Sequence, residues 1–275
     1  MSVAAIGVAL LTDLPGASVG AAALSTGVVI EALVARWMAR ASIRDLLAPG
    51  AVTNNGSEAK SDLTYLDIAH FYLPLALTSL IGIAIHPMLT FFMGRAVSPV
   101  ESLAVFPVVH SLGFIFRAIG LSFQDAVIAL MGNNNHGYAK IRRFGLGLGL
   151  ALSGVLGAVA FTPLSTIWFE LISGLTPELA AYAIPAARIM TPVPFLGVLL
   201  SLQRGTLMKN RRTHPIIIAT AAEVSTVAVV FIAVGWGLGW VGVTAAFTAF
   251  FLGRLTANLY LTPEVRRVLR PGAVQ

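Results

Sequence analysis

The sequence contains no cysteine and few charged residues. The lack of cysteine excludes disulfide bonds, thiolate catalysis and thiolate metal ligands, and it leaves the redox compartment open. Only 11% of the residues are charged, whereas soluble domains carry about 25%. This scarcity of charge excludes an ordinary soluble globular domain.

Apolar residues take the place of the missing charges: they make up 57% of the 275 residues, and the mean hydropathy is +0.84. A membrane-spanning helix needs about 20 mainly apolar residues. Stretches that qualify, or nearly do, run approximately over 1–12, 17–38, 66–93, 102–131, 144–163, 179–202, 215–236 and 239–260. We therefore expect an all-α, polytopic membrane helix bundle with about eight transmembrane helices.

The net charge of +6 would suit a nucleic-acid partner, but the positions of the basic residues favour a membrane partner instead. They follow the second, fourth, sixth and eighth stretches: Arg36, Arg40, Arg44, Lys60, Lys140, Arg142, Arg143, Arg204, Lys209, Arg211, Arg212, Arg266, Arg267 and Arg270. The other connections hold mainly acidic residues, with Arg95 as their single basic one. By the positive-inside rule, these basic connections and the C-terminus are cytoplasmic. We expect a multi-pass protein of the plasma or bacterial inner membrane, in contact with lipids and not with nucleic acid.

The two ends of the chain resemble each other. When the sequence is shifted by 222 residues, residues 1–52 align without a gap on 223–274, and "PGAV" occurs in both copies. Chance similarity between two apolar hairpins is the alternative to a true repeat. A repeat predicts that 1–46 are the last two helices of an N-terminal lobe, 47–62 a cytoplasmic loop and 63–275 a complete six-helix lobe. The chain would then be the back two-thirds of a two-lobe, twelve-helix protein, completed by four missing N-terminal helices or by another chain.

Several motifs support a family resemblance. The stretch "FYLPLALTSLIGIAIHPMLTFFMGRAVSPVESLAVFPVVHSLGF" resembles the opening of a lobe in the MOP flippase superfamily, which includes the multidrug and toxic compound extrusion transporters. His86-Pro87, "PVVH" at 107–110 and "IPAARIMTPVPF" at 184–195 are most similar to the progressive ankylosis branch. The resemblance implies secondary active efflux by alternating access between two lobes. Many extrusion members carry an acidic residue shortly before the "GR"; here that stretch is "PMLTFF", so the sequence departs from the family at this position and the resemblance does not extend to cation coupling through it.

Arg117 lies in the middle of a predicted span, within "FRAIGLSFQDAVIALMG". His110 and Gln124 are seven residues away on either side, about two helical turns, so all three share one helix face. A charge at the bilayer midplane normally faces a watery interior or a partner, which predicts a substrate cavity at this face. The alternatives are a snorkelling arginine or a structural pair with Asp125, although eight residues of helix separate these two by about 12 Å.

Other polar residues at similar depth extend this hypothesis. Arg188 lies among three prolines that can break a helix, and Glu223 lies near the middle of the seventh span; we expect both in the substrate cavity. Glu31 and Arg254 are candidates for a coupling pair between lobes, or for separate local contacts. Asp125 is a further coupling candidate, unless it lies near the cytoplasmic headgroups.

His86 and His110 are candidate proton carriers; the alternative is that they are hydrogen-bonded packing residues. No catalytic site is visible, and "GLGLGLALSG" at 145–154 follows no strand, so helix contact by small residues explains it better than nucleotide binding. We predict no enzyme activity, no metal and no cofactor apart from coupling by H⁺ or Na⁺. The planar fork of arginine suits carboxylates and phosphates, so the leading hypothesis is an exporter of a small organic anion. A relative of the lipid-linked oligosaccharide or polysaccharide flippases, or a truncated membrane protein without transport activity, is the alternative.

Overall fold

The computed structural model describes residues 16–47, 65–132 and 135–269, and helices are the only named elements within these ranges. The chain divides into two compact units, Met1–Asp62 and Leu63–Gln275. The smaller unit contributes one described helix, α1, which spans Gly16–Leu47. The predicted span over 1–12 and nearly all of the predicted loop over 47–62 lie outside the described residues. The repeat between the two ends of the chain therefore stays a prediction.

The larger unit consists of long helices joined by short connections. In chain order they are α2 (Tyr65–Met93), α3 (Pro99–Leu130), α4 (Tyr138–Phe161), a short α5 (Leu164–Thr166) that continues into a π-helix over Ile167–Ile172, α6 (Pro177–Met190), α7 (Val193–Lys209), α8 (His214–Phe231) that continues into a π-helix over Ile232–Gly237, and α9 (Gly242–Leu269).

Five helical stretches in the described ranges are long and apolar enough to cross a membrane: Ala76–Met93, Pro99–Leu130, Tyr138–Phe161, Pro177–Lys209 and His214–Gly237. They confirm the prediction of an all-α membrane bundle. The predicted spans 17–38 and 239–260 correspond to helices α1 and α9, which fall outside these five. In α9 the polar residues Arg254 and Asn258 lower the hydropathy of an otherwise apolar stretch. The exact number of spans stays a prediction.

The core of the larger unit forms where α9 packs against α8, α7 and α6, while α3 packs against α7 and α6. Helix α2 packs mainly against α8, and α4 against α7. Small residues allow the closest approaches: a Cβ on Gly253 of α9 would lie 2.6 Å from Val227 Cγ2 and 2.9 Å from the Glu223 carbonyl oxygen of α8. Glycine is therefore required at this helix crossing, as is common between membrane helices.

Two local features define the ends of the helices around the interior of this unit: a break between α6 and α7, and hydrogen bonds between the first turns of α3 and α9. Helix α6 ends at Met190 and α7 begins at Val193, next to Pro192, which has no backbone N–H with which to continue a helix. At the start of α3, the Ser102 hydroxyl accepts a hydrogen bond of 3.1 Å from the Val243 backbone N–H at the start of α9. The backbone N–H of Gly242 also donates to the Val97 carbonyl, at 3.1 Å. The N-terminal ends of α3 and α9 are thus joined directly.

Candidate binding cavity

The larger unit contains a cavity of about 340 Å³. Its walls come from α2, α3, α7, α8 and α9, with Met190 at the end of α6. The polar and charged residues that line it are Thr78, Ser79, His86, His110, Arg117, Gln124, Ser201, Arg204, Thr220, Glu223 and Arg254. The volume lies at the lower end of the range of about 300–1,000 Å³ that is typical of small-molecule sites.

Helix α3 contributes one continuous polar stripe to this cavity. The structure brings His110, Arg117 and Gln124 to the cavity wall, and Gly113 and Gly120 line it between them. Successive members of this stripe are about 10 Å apart along the helix, because each residue adds about 1.5 Å. Along the helix axis, the stripe therefore begins with His110, continues with Arg117 and ends with the amide of Gln124.

Arg117 is exposed on the cavity surface. No residue in the described part of the chain forms a hydrogen bond or an ion pair with its guanidinium. It is nevertheless within electrostatic range of Arg254 and Glu223. A guanidinium has five N–H donors and no acceptor, so Arg117 presents a free set of donors to whatever occupies the cavity.

Glu223 of α8 is the carboxylate of the cavity, and two arginines face it. Its Oε1 lies 3.1 Å from Arg254 Nη2, and its Oε2 lies 4.0 Å from Arg204 Nη2. The Glu223 side chain is 3% exposed, against 13% for Arg254 and 21% for Arg204. The 3.1 Å contact is an ion pair that lacks the angle of a hydrogen bond, since Glu223 Oε1 has no hydrogen-bond partner among the described residues.

The arginines of this cluster have unused hydrogen-bonding capacity. Arg204 Nη2 donates to the Thr220 hydroxyl at 2.9 Å. The Nε atoms of Arg204 and Arg254 are both buried without a hydrogen-bond partner in the described part of the chain. Buried polar groups normally have a partner, which is often an ordered water or a ligand. Among the described residues, three guanidinium groups and one carboxylate line the cavity, which leaves a surplus of two positive charges.

A network of amide hydrogen bonds connects the two helices, α7 and α9, that carry Arg204 and Arg254. The Gln203 amide donates to the Asn258 carbonyl at 3.2 Å and to the Thr262 hydroxyl at 3.1 Å. The Asn258 amide in turn donates to the Leu196 carbonyl at 3.1 Å. These bonds join α7 to α9 at the level of Arg204 and Arg254. They hold the helices that carry the two arginines in fixed relative positions.

Two histidines lie in another part of the cavity. The rings of His86 on α2 and His110 on α3 are perpendicular, with 4.4 Å between their centroids. Phe106 lies beside both, with centroid distances of 6.1 Å to His86 and 5.9 Å to His110. Both histidines are half-buried and within electrostatic range of Arg117. His110 is itself a member of the polar stripe of α3, two helical turns from Arg117, so the histidine pair lies at one end of that stripe.

Arg188, which the sequence predicted to line the cavity, does not line it. Its Nε donates to the Ala160 carbonyl at 3.2 Å, and its guanidinium lies 5.5 Å from the Phe161 ring centroid. The last carbonyls of a helix have no partner within that helix, and Arg188 supplies one at the end of α4. The charge that opposes Glu223 therefore comes from other arginines.

The candidate coupling residues are distributed differently from the prediction. Arg254, considered as a partner of Glu31, forms its ion pair with Glu223. Glu31 lies exposed on α1 in the smaller unit. Asp125 is exposed on α3 and is absent from the cavity wall, because it lies next to Gln124 in sequence and therefore on another side of the helix. Of the four candidates, His86 and Arg254 line the cavity.

Sequence reasoning missed Arg204. The predicted span ended at 202, which assigned Arg204 to a basic connection, whereas helix α7 continues to Lys209. A pattern in the sequence could have revealed it: Gly197, Ser201 and Arg204 are four and three residues apart, and all three line the cavity. That spacing is the signature of one helix face.

The fold defines an all-α protein of the membrane-spanning kind, with an internal cavity lined by arginines. Within the residues described, no group of three or more His, Cys, Asp or Glu side chains is arranged to hold a metal ion. Comparisons of the chain with protein-family models, with curated proteins and with solved structures found no match.

Proposed function

We propose that this protein is a secondary active transporter that exports a small organic anion, bound in the cavity of the larger unit. The observation that carries the proposal is the guanidinium of Arg117, which has no hydrogen-bond or ion-pair partner among the described residues and lines the same cavity as Arg204 and Arg254. An excess of positive charge inside a bundle of membrane-spanning helices is unfavourable unless water or an anion solvates it. A carboxylate or phosphate group would satisfy both the charge and the free N–H donors.

The wider architecture supports transport over simple binding. Four of the five long helices that line the cavity, α2, α3, α7 and α8, belong to stretches that are apolar enough to cross a membrane, and α6 and α7 are separated by a break beside the cavity. Broken helices around a central site are typical of secondary transporters. The motif resemblance to the MOP flippase superfamily agrees with this reading, and we include membership of that superfamily, with alternating access between two lobes, in the proposal.

A lipid-linked oligosaccharide flippase is the second candidate. The three arginines of the cavity favour it, because such substrates carry phosphate groups that several basic residues can bind. A volume of about 340 Å³ favours the small anion instead, since a lipid-linked oligosaccharide is much larger. Substrate size therefore separates the two candidates.

The experiment is an efflux assay with the full chain reconstituted in liposomes loaded with labelled succinate or labelled glycerol phosphate. The Arg117→Gln variant removes two charge-assisted hydrogen bonds worth about 1.5–3 kcal/mol each. We expect it to lower anion efflux by at least about a hundredfold. Arg117→Lys should recover little, because an ammonium group cannot form two parallel bonds to a carboxylate.

The matched control is Arg95→Gln, since Arg95 is exposed and stacks 3.8 Å above the Phe91 ring, away from the cavity. We expect this variant to retain efflux. Undiminished efflux in Arg117→Gln would refute anion binding by Arg117. Transport of a labelled lipid-linked oligosaccharide without transport of the small anions would support the flippase candidate.

A further inference from the structure

We propose that His86 and His110 form a proton-binding site that is linked to the anion site, so that the protein takes up a proton together with the anion. This inference rests on the proposed function, because it requires an anion in the same cavity. The inference adds to the proposed function that the coupling ion is H⁺ and that it moves in the same direction as the anion.

The geometry of the histidine pair supports a titrating site over a packing role. The two rings are 4.4 Å apart between centroids and come from different helices, α2 and α3. In the part of the chain that the structure describes, no hydrogen bond from protein holds either ring. Both histidines line the cavity that Arg117 also lines. A histidine that only packed would be expected to have a hydrogen-bond partner.

Among the described residues, the charged residues that line the same cavity as the pair are Arg117 on α3, Arg204 on α7, Glu223 on α8 and Arg254 on α9, and Arg117 is the one within electrostatic range of both histidines. Glu101 and Asp125 also belong to α3, but neither lines the cavity. The surplus of positive charge opposes protonation of the histidines. An anion bound at the arginines cancels part of that surplus, and the opposition to the proton falls with it.

The size of the coupling follows from the spacing on α3. His110 and Arg117 are seven residues apart, or about 10 Å along the helix. At an effective dielectric constant of about 20, two unit charges at this distance change each other's binding constant by about tenfold. Linkage is reciprocal, so protonation of the pair should strengthen anion binding by the same factor.

Positive coupling between proton binding and anion binding favours co-transport over exchange. Exchange of a proton against a substrate requires the two to compete for the protein. Here each favours the binding of the other, so the proton and the anion would move in the same direction. Export would then be driven by the outward gradient of the anion itself, and the proton that leaves with it would offset one negative charge of the anion as it crosses the membrane.

The test measures proton uptake on sulfate binding to the purified full chain in detergent. Sulfate is a suitable probe because it does not titrate between about pH 5 and 8, where histidine does. Titration calorimetry in two buffers with different heats of ionisation gives both the affinity and the number of protons bound. Because the positive surplus opposes protonation near neutral pH, we expect proton uptake at acidic pH, and a sulfate affinity that rises toward about tenfold as the pH falls from about 8 to about 4.

The double variant His86→Gln/His110→Gln should bind sulfate without proton uptake and with a flat pH dependence. His136→Gln is the matched control, since His136 is exposed on the connection before α4, and it should behave as the wild type. Sulfate binding without proton uptake in the wild type, or uptake that survives in the double variant, would overturn the inference and leave the proposed function standing. A complete lack of sulfate binding would overturn both.

Discussion

Glu223 offers a direct test of the electrostatics inside the bundle. The substitution Glu223→Gln keeps the shape of the side chain but removes the carboxylate that lies 3.1 Å from Arg254 and 4.0 Å from Arg204. Removing one member of a buried ion pair destabilises a protein by about 3–5 kcal/mol, because the remaining charge stays buried and unpaired. The side chains of Arg254 and Arg204 are still 13% and 21% exposed. Water can therefore solvate the unpaired charge in part, and we expect a value near the lower limit, about 3 kcal/mol.

Thermal unfolding in detergent, followed by circular dichroism of the helices, measures this effect. A loss of about 3 kcal/mol corresponds to a fall in Tm of roughly 10 °C for a chain of this size. Added sulfate should restore more stability to the variant than to the wild type, because an anion can take the position of the missing carboxylate. The double variant Glu223→Gln/Arg254→Gln should be more stable than Glu223→Gln alone, since it no longer contains the unpaired guanidinium.

The matched control is the exposed pair on α9, in which Arg267 Nη1 lies 2.6 Å from Glu264 Oε1. This distance is shorter than that of the internal pair, but Arg267 is 64% exposed. Exposed pairs contribute at most about 1 kcal/mol, so Glu264→Gln should hardly change the Tm. If Glu223→Gln were no less stable than Glu264→Gln, burial would not control the strength of these pairs, and the cavity would be fully hydrated.

Two further predictions concern the helix packing and the topology. Gly253→Ala should destabilise the bundle by about 1–3 kcal/mol, because its methyl group would lie 2.6 Å from Val227 Cγ2, whereas Gly147→Ala has open space around it and should not lower the Tm in the same unfolding assay. In intact cells, a cysteine introduced at Ser173 should react with a membrane-impermeant thiol reagent and one at Arg212 should not, with no background because the chain has no cysteine of its own. The reverse labelling pattern would contradict the predicted orientation.

The sequence predicted a large part of the helical architecture by itself. Long apolar runs can satisfy their backbone hydrogen bonds in a bilayer only as helices or closed barrels, and runs of about 20 residues select helices. Helical spacing also sufficed for one wall of the cavity: Arg117, His110 and Gln124 had to share a face because they are seven residues apart. These conclusions depend on interactions within a single helix, which the local sequence determines.

The tertiary structure decided which charges meet. Arg188 lies within the predicted span 179–202 and Arg204 lies just after it; helical spacing shows which neighbours share a face with each arginine, but it does not show which face meets the cavity. The crossing of α6 with α4 brings Arg188 to the Ala160 carbonyl, while α7 continues far enough to bring Arg204 to the cavity wall near Glu223. Such assignments depend on the rotation of one helix against another, which is set by packing between residues distant in sequence.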